Sequence, residues 1–321
     1  MLSAFNYSDV IYEKEKLENR VICEKEKDII YRRTISLAKK NVSNLGNHIC
    51  PCCQGKVKYF FSKWGFNFLR CQECYSIFSD VSQNICEEYM RTDEIIRCRT
   101  SNTYQIDEFQ HRREQWRELL EWLEFRCYRY LSANEGLDII DYGNRFIKFV
   151  ELIRDARLCK NYELRDSIIK VEQKHIDKAD IILYMTNIQQ TLNPIEELQK
   201  IRSSMKRDGI LFLSSRLGTG FDVLTLKENN EKIMPLEHML LPSIKGLEKI
   251  LSMSGFRILE IVTPGNLDVA YVLRNKDKIA DEASFLQYMF SECDGKVFNE
   301  LQRFLQKNRL SSYVQIIARK V

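Results

Sequence analysis

GLDIIDYG (residues 136–143) and ADIILYMTNI (residues 179–188) decide the fold. Each is a short, Ile-rich apolar run that stops at a glycine or a polar position, the pattern of a strand buried on both faces. Between them, NRFIKFVELIRDARL (144–158) has helical spacing and NYELRDSII (161–169) reads as a second strand. Toward the C-terminus, PIEELQKIRSSMKRDG (194–209) reads as a helix closed by Gly209, followed by the strand ILFLSSR (210–216). LPSIKGLEKILSMSGF (241–256) is a helix ending at Gly255, and RILEIVTP (257–264) is a strand. VFNELQRFLQKNRL (297–310) is a late helix, and SYVQIIARK (312–320) a final strand. Such alternation predicts an α/β fold, a Rossmann-like and mostly parallel sheet with helices on both faces and right-handed crossovers.

Upstream the texture changes twice. Residues 1–47 are charged and periodic, as in an amphipathic helical segment with Lys/Glu pairs on its wet face. Residues 48–80 are rich in aromatics, turns and cysteine. Residues 81–131 form a helical connector in which Trp116, Leu119, Leu120, Leu123 and Cys127 recur at helical spacing. Residues 132–321 are the sheet domain. At about 150 residues per domain, a chain of 321 has room for one sizeable core and a smaller module.

Composition narrows the function. With 49 Lys+Arg against 45 Asp+Glu the net charge is +4, and the signs are interleaved. No basic block marks a nucleic-acid face. No apolar run reaches the roughly 20 residues of a membrane span, and MLSAFNYSDVIYEKEKLENR lacks the features of a signal peptide. A cytoplasmic protein is expected. The 11 cysteines are an odd number with no export signal, which favours a metal site and free thiols over a disulfide framework.

Cys50, Cys53, Cys71 and Cys74 form C-x2-C-x17-C-x2-C. Each pair makes a knuckle that aims two thiolates at one point, and two knuckles complete the tetrahedron of a structural Zn2+. About 35 residues cannot bury enough surface to fold alone, and a metal compensates. Cys52 lies inside the first knuckle and competes with Cys53 as ligand. His48 reads as an ordinary surface histidine. The aromatics Tyr59, Phe60, Phe61, Trp64, Phe66 and Phe68 read as the core of this module. With Lys56, Lys58, Lys63 and Arg70 they also offer the one argument for nucleic-acid binding.

Over residues 48–321 the chain resembles class I S-adenosylmethionine-dependent methyltransferases, in particular bacterial ones with an N-terminal zinc module that act in sugar, surface-glycan or secondary metabolism. CPCC…FLRCQEC, LDIIDYGNRF, ADIILYMTNIQQTLNP, LQKIRSSMKRDGILFLSS and PLEHMLLPSIKGLEKILSMSGFRILEIVTPGNLDV carry the resemblance, together with the ending FLQKNRLSSYVQIIARK. It implies methyl transfer to a small metabolite such as a nucleotide-linked sugar. Asp141, Tyr142, Gly143 and Asn144 would then lie at the cofactor's methionine end, with Asn187 nearby. Asp166 or Glu163 would hold the ribose, and Asp166 is preferred because the second strand should end just before it. The family's Asp-x-Gly-x-Gly-x-Gly is here Asp141-Tyr142-Gly143-Asn144-Arg145-Phe146, two glycines short. Where the family often has Glu-His after the fourth strand, this chain has Gln189-Gln190, and an amide exchanges no proton. Glu237-His238 is the remaining acid/base pair. Arg216, Gly218, Gly220 and Asp222 begin the loop that leads to it. Thr263-Pro264-Gly265 reads as a tight turn, with Asn266 and Asp268 as minor candidates. The rival expectation is a non-catalytic relative that binds a protein partner.

Overall fold

The computed structural model describes residues 24–41, 48–92, 94, 96, 102–133, 135–143, 147–165, 175–185, 187–279 and 283–321. Helix α1 (Glu24–Ala38) leads into a small antiparallel sheet of β1 (Val57–Lys63), β2 (Phe66–Cys71) and β3 (Ile77–Ser79). Trp64 and Gly65 both have positive φ, 51° and 82°, as a two-residue hairpin turn requires. Helices α2 (Gln83–Met90) and α3 (Asn102–Leu131) follow. The larger sheet uses β4 (Leu137–Tyr142), β5 (Cys159–Arg165), β6 (Ala179–Met185) and β7 (Met205–Arg216). Helix α4 (Ile147–Arg154) links β4 to β5, and α5 (Pro194–Ser203) links β6 to β7. After α6 (Phe221–Leu226) the chain makes the two-residue strand β8 (Leu240–Leu241), which pairs with β3 and so completes the small sheet from far along the sequence. Then come α7 (Ile244–Met253), β9 (Phe256–Val262), α8 (Asp268–Arg274), α9 (Ser284–Glu292), α10 (Gly295–Lys307) and β10 (Tyr313–Lys320).

The large sheet has the order β5-β4-β6-β7-β10-β9. Strands β5, β4, β6 and β7 are parallel neighbours, and β10 runs antiparallel to both β7 and β9. Among the described residues no strand lies outside β5. Alternation sorts its side chains into two cores. Ile140, Ile182, Tyr184, Leu211 and Leu213 face α5 and α7 and the cysteine-bearing loops. Ile139, Ile181, Leu183, Ile210 and Phe212 face α3 and α4, where Trp116, Leu123 and Cys127 are buried as their spacing predicts. Helix α3 is thus a wall of the large sheet, while α2 packs with α1 and Phe66.

The structure revises the boundary at Gly209. Helix α5 ends at Ser203, and Gly209 lies inside β7, where the register against β6 jumps from Ala179↔Met205 to Ile181↔Ile210. A side chain at Gly209 would come within 3.1 Å of the Ala179 carbonyl, so the glycine serves this irregular stretch and not a helix cap. Pro194 in the first turn of α5, Glu196 and Glu197 beside it, and Lys200 and Arg202 in its last turn all match the helix dipole.

Candidate cofactor, acceptor and metal sites

Strand β4 ends on Asp141-Tyr142 and turns at Gly143, whose φ of +79° few side chains tolerate. Asp141 is fully buried and accepts a 2.6 Å hydrogen bond from the Tyr162 hydroxyl of β5. Burial, then the Asp141 charge, pushes the Tyr162 phenol well above its ordinary range, so it stays a donor. Tyr142 points to the opposite face, where Arg165 Nη1 donates to its hydroxyl at 2.9 Å. Glu163 lies on that face too. Its carboxylate is gripped by Arg165 (2.9 and 3.2 Å), by the Ile176 N–H (2.6 Å) and by His175 Nδ1 (3.2 Å). Burial opposes its charge, but Arg165 and the Ile176 N–H more than offset this and hold the carboxyl below the usual range. Both oxygens are therefore engaged within the protein. Asn144 and Asp166 lie outside the described residues, although β5 does end at Arg165, directly before Asp166. Asn187 opens a single 3-10 turn (Asn187–Gln190) at the carboxyl end of β6, and nothing is described of its side chain.

Glu237 is buried and belongs to a triangle that the sequence does not announce. The Tyr89 hydroxyl of α2 donates to its Oε1, and Gln190 Nε2 donates to Oε2 at 3.0 Å. Gln190, which cannot move a proton, instead orients a group that can. Beside it a cavity of about 610 Å3 opens between α2 and the start of α5, lined by Gln83, Cys86, Gln190, Asn193 and Met239 among others. His238 is half-buried, and its Nδ1 accepts the Met234 N–H at 3.2 Å, which leaves the ring proton on Nε2. Loss of solvent and then the Arg216 charge lower its pKa to about 4. The folded ring thus stays neutral where an unfolded histidine, near 6.5, takes up a proton. Stability should fall as pH drops from about 6.5 to about 4, and His238→Gln should flatten that slope in thermal melts. An unchanged slope would refute the neutral ring.

Two other acids hold the strand ends together. Asp222 accepts from Arg216 Nη1 (2.9 Å), Asn230 Nδ2 (3.2 Å) and the Ser312 hydroxyl. Asp268 accepts from the Ser311 hydroxyl (2.7 Å), Gln302 Nε2 (2.9 Å) and the Ser312 N–H (3.0 Å). Gly220 makes room for this joint, since a side chain there would come within 2.4 Å of Ser312 Cα.

The sulfurs of Cys50, Cys53, Cys71 and Cys74 all lie within 4.8 Å of one another, a group that could hold a metal ion. Cys52 is fully buried outside that set. Backbone N–H groups of Cys52, Glu73 and Cys74 point at Cys50 or Cys71 Sγ at 3.4 Å, the outer contacts that favour thiolates. An all-sulfur set with no other donor suits a structural ion. His48 Nε2 pairs with Asp80 at 2.9 Å. Lys63 is buried, with its ammonium donating to the Asn230 carbonyl at 2.6 Å and its pKa lowered to about 8 by desolvation. It therefore leaves the basic surface expected of residues 56–70, where Arg70 stacks against Phe60 and Tyr75.

Four parallel strands, with the antiparallel strand β10 set between β7 and β9, complete the picture. The fold is a mixed α/β one, a six-stranded and mostly parallel sheet with helices against both faces. No family model matches the sequence, and no curated protein matches it. Solved structures similar to it include an S-adenosylmethionine-dependent methyltransferase from Archaeoglobus fulgidus, 18% identical with a TM-score of 0.37 over 64% of this chain and 97% of that one. The plantazolicin methyltransferase BpumL, bound to a desmethyl analogue and S-adenosylhomocysteine, is 14% identical with a TM-score of 0.37 over 74% and 99%. The [4+2]-cyclase SpnF is 13% identical with a TM-score of 0.36 over 62% and 79%. Among the described residues no helix is long and apolar enough to cross a membrane.

Proposed function

We propose that the protein transfers a methyl group from S-adenosylmethionine to a small metabolite and carries one structural Zn2+ on Cys50, Cys53, Cys71 and Cys74. The observation that carries the reading is the pairing of a buried acid, Asp141, with a left-handed glycine, Gly143, at the carboxyl end of the first sheet strand. That glycine lets the backbone approach a ligand closely. Tyr162 fixes the Asp141 carboxylate, and Asp166, just beyond β5, is the acid we assign to the ribose, since Glu163 is already saturated. Asn144 and Asn187 complete the proposed cofactor contacts. Bound S-adenosylmethionine supplies a methyl group on an already activated sulfonium. The protein's task is alignment, together with removal of a proton where the acceptor carries one.

The acceptor belongs in the cavity beside Gln190. Its charged lining, Glu87, Glu196 and Glu197 against Arg91 and Lys200, disfavours a polyanion, while its amides suit hydroxyl groups. The sugar portion of a nucleotide-linked sugar fits there better than its phosphates. Glu237 and His238 remain the acid/base pair of this reading, but neither lines the cavity, and Glu237 is linked to it through Gln190, whose Nε2 donates to its carboxylate. Free thiols at Cys86 and Cys127 suit a cytoplasmic setting.

Calorimetry with S-adenosylhomocysteine on zinc-loaded protein tests the cofactor reading. We expect micromolar affinity, weakened at least tenfold by Gly143→Val, which strains the turn, and by Asp141→Ala. No heat at millimolar ligand would overturn it. That result would support the second reading, a binding protein that kept this fold, which the two missing glycines after Gly143 favour.

A further inference from the structure

We propose that Ser76 makes the metal knuckle a splint for the acceptor half of the site, an inference that takes its functional meaning from the methyltransferase reading. The segment from Asn230 to Gly246 carries Glu237 and His238, and the small sheet grips it at both ends. At one end Lys63 of β1 donates to the Asn230 carbonyl at 2.6 Å. At the other, β8 pairs with β3 through Ile77↔Leu241 and Phe78↔Leu240. The Ser79 N–H donates to the Met239 carbonyl at 2.9 Å, and its hydroxyl to the Pro235 carbonyl at 3.2 Å.

Ser76 joins this clamp to the metal ligands. Its Oγ lies 3.2 Å from Cys74 Sγ and accepts the Ser243 N–H at 3.0 Å. With Cys74 a metal-bound thiolate, the Ser76 hydroxyl becomes the donor to sulfur. Ser243 in turn donates to the Cys74 carbonyl and caps α7, accepting the Gly246 N–H at 2.8 Å. A side chain at Gly246 would sit 2.2 Å from Ser76 Oγ, so the glycine permits the approach. A chain of contacts therefore runs from sulfur through Ser76 and Ser243 to the strand that follows Glu237-His238. On the cofactor side, Asp141 and Glu163 are held by Tyr162 and Arg165, from within the parallel sheet.

The two halves of the site should separate when the splint is cut. Ser76→Ala keeps all four thiolates, so zinc content should match wild type. Amide exchange at 239–246 should accelerate about tenfold, the size expected for one or two lost hydrogen bonds. Affinity for S-adenosylhomocysteine should not change. Exchange at 239–246 equal to wild type in the zinc-loaded variant would overturn the proposal. If the variant fails to hold zinc, chelation and zinc re-addition on wild-type protein decide. Exchange at 239–246 should rise and recover together with 57–79, and continued protection at 239–246 while 57–79 opens would overturn it. Failure of wild-type protein to bind S-adenosylhomocysteine, with the exchange pattern as expected, would remove the functional reading and leave the splint standing.

Discussion

Cys71→Ser protein should leave purification without its metal. Cys71 is 1% exposed and receives two backbone N–H groups on its sulfur, so serine offers the site a weaker and shorter ligand. Structural zinc is worth about 10–16 kcal/mol in small zinc-finger peptides, far more than a module of this size gains from burial. The loss should reach past residue 80. Strand β8 has β3 as its partner, and Lys245 Nζ donates to the Glu73 carbonyl at 3.0 Å, so residues 240–246 should become open to protease with residues 50–79. Strands β4 to β7 should stay folded, because α3, α4 and α5 cover them. Metal analysis and limited proteolysis provide the readouts. Cys52→Ser should keep its zinc, and unchanged metal in Cys71→Ser would defeat the four-thiolate assignment.

Asp222→Asn should be the costliest single change away from the four clustered cysteines. Asp222 is 2% exposed, and burial alone would raise its carboxyl. The Arg216 charge, with Ser312, Lys232 and Asn230, outweighs burial and holds it below the usual carboxylate range. The asparagine leaves Arg216 facing a neutral group. Breaking such a buried pair costs about 3–5 kcal/mol, and the lower end applies because Arg216 is 22% exposed. Urea unfolding should show a loss of about 3 kcal/mol. The sign of the pH effect follows from the lowered value. The contribution is fully present above the unfolded carboxyl's pKa, about 3.9, and disappears as pH falls through the folded value. This acid limb lies below the His238 window, so the two variants should flatten different parts of the stability profile. A variant as stable as wild type at pH 7 would show that the pair contributes nothing.

The sheet and the cysteine cluster were open to reading because both depend on local spacing. Ile139 and Ile140 must point to opposite faces, and both are buried, so a continuous apolar run could only be a covered strand. Two C-x2-C pairs bring their sulfurs together by knuckle geometry alone. Choosing Cys53 over Cys52 was different, since CPCC offers two spacings and only the folded loop selects one. Long-range partners were not legible. Nothing in Leu240-Leu241 says that it will pair with residues 77–78, and nothing in Tyr89 says that its hydroxyl will find Glu237. Lys63 read as surface because lysine almost always is; a backbone carbonyl 167 residues away made its burial tolerable. Asp268 was noticed for its place beside a turn, yet its carboxylate serves Ser311 and Ser312.

The antiparallel strand β10 carries a consequence for how the protein is made. Strands β7 and β9 each hydrogen-bond to β10, and β10 is synthesised only after α8, α9 and α10. Until residues 313–320 leave the ribosome, β7 and β9 each present an unpaired backbone edge that β10 will later cover. A nascent chain in that state can nucleate β4, β6 and β7 but cannot close the sheet, and open edges of this kind recruit other chains. Expression should therefore depend steeply on temperature and on chaperone supply, and a stalled product ending before residue 313 should be found in the insoluble fraction.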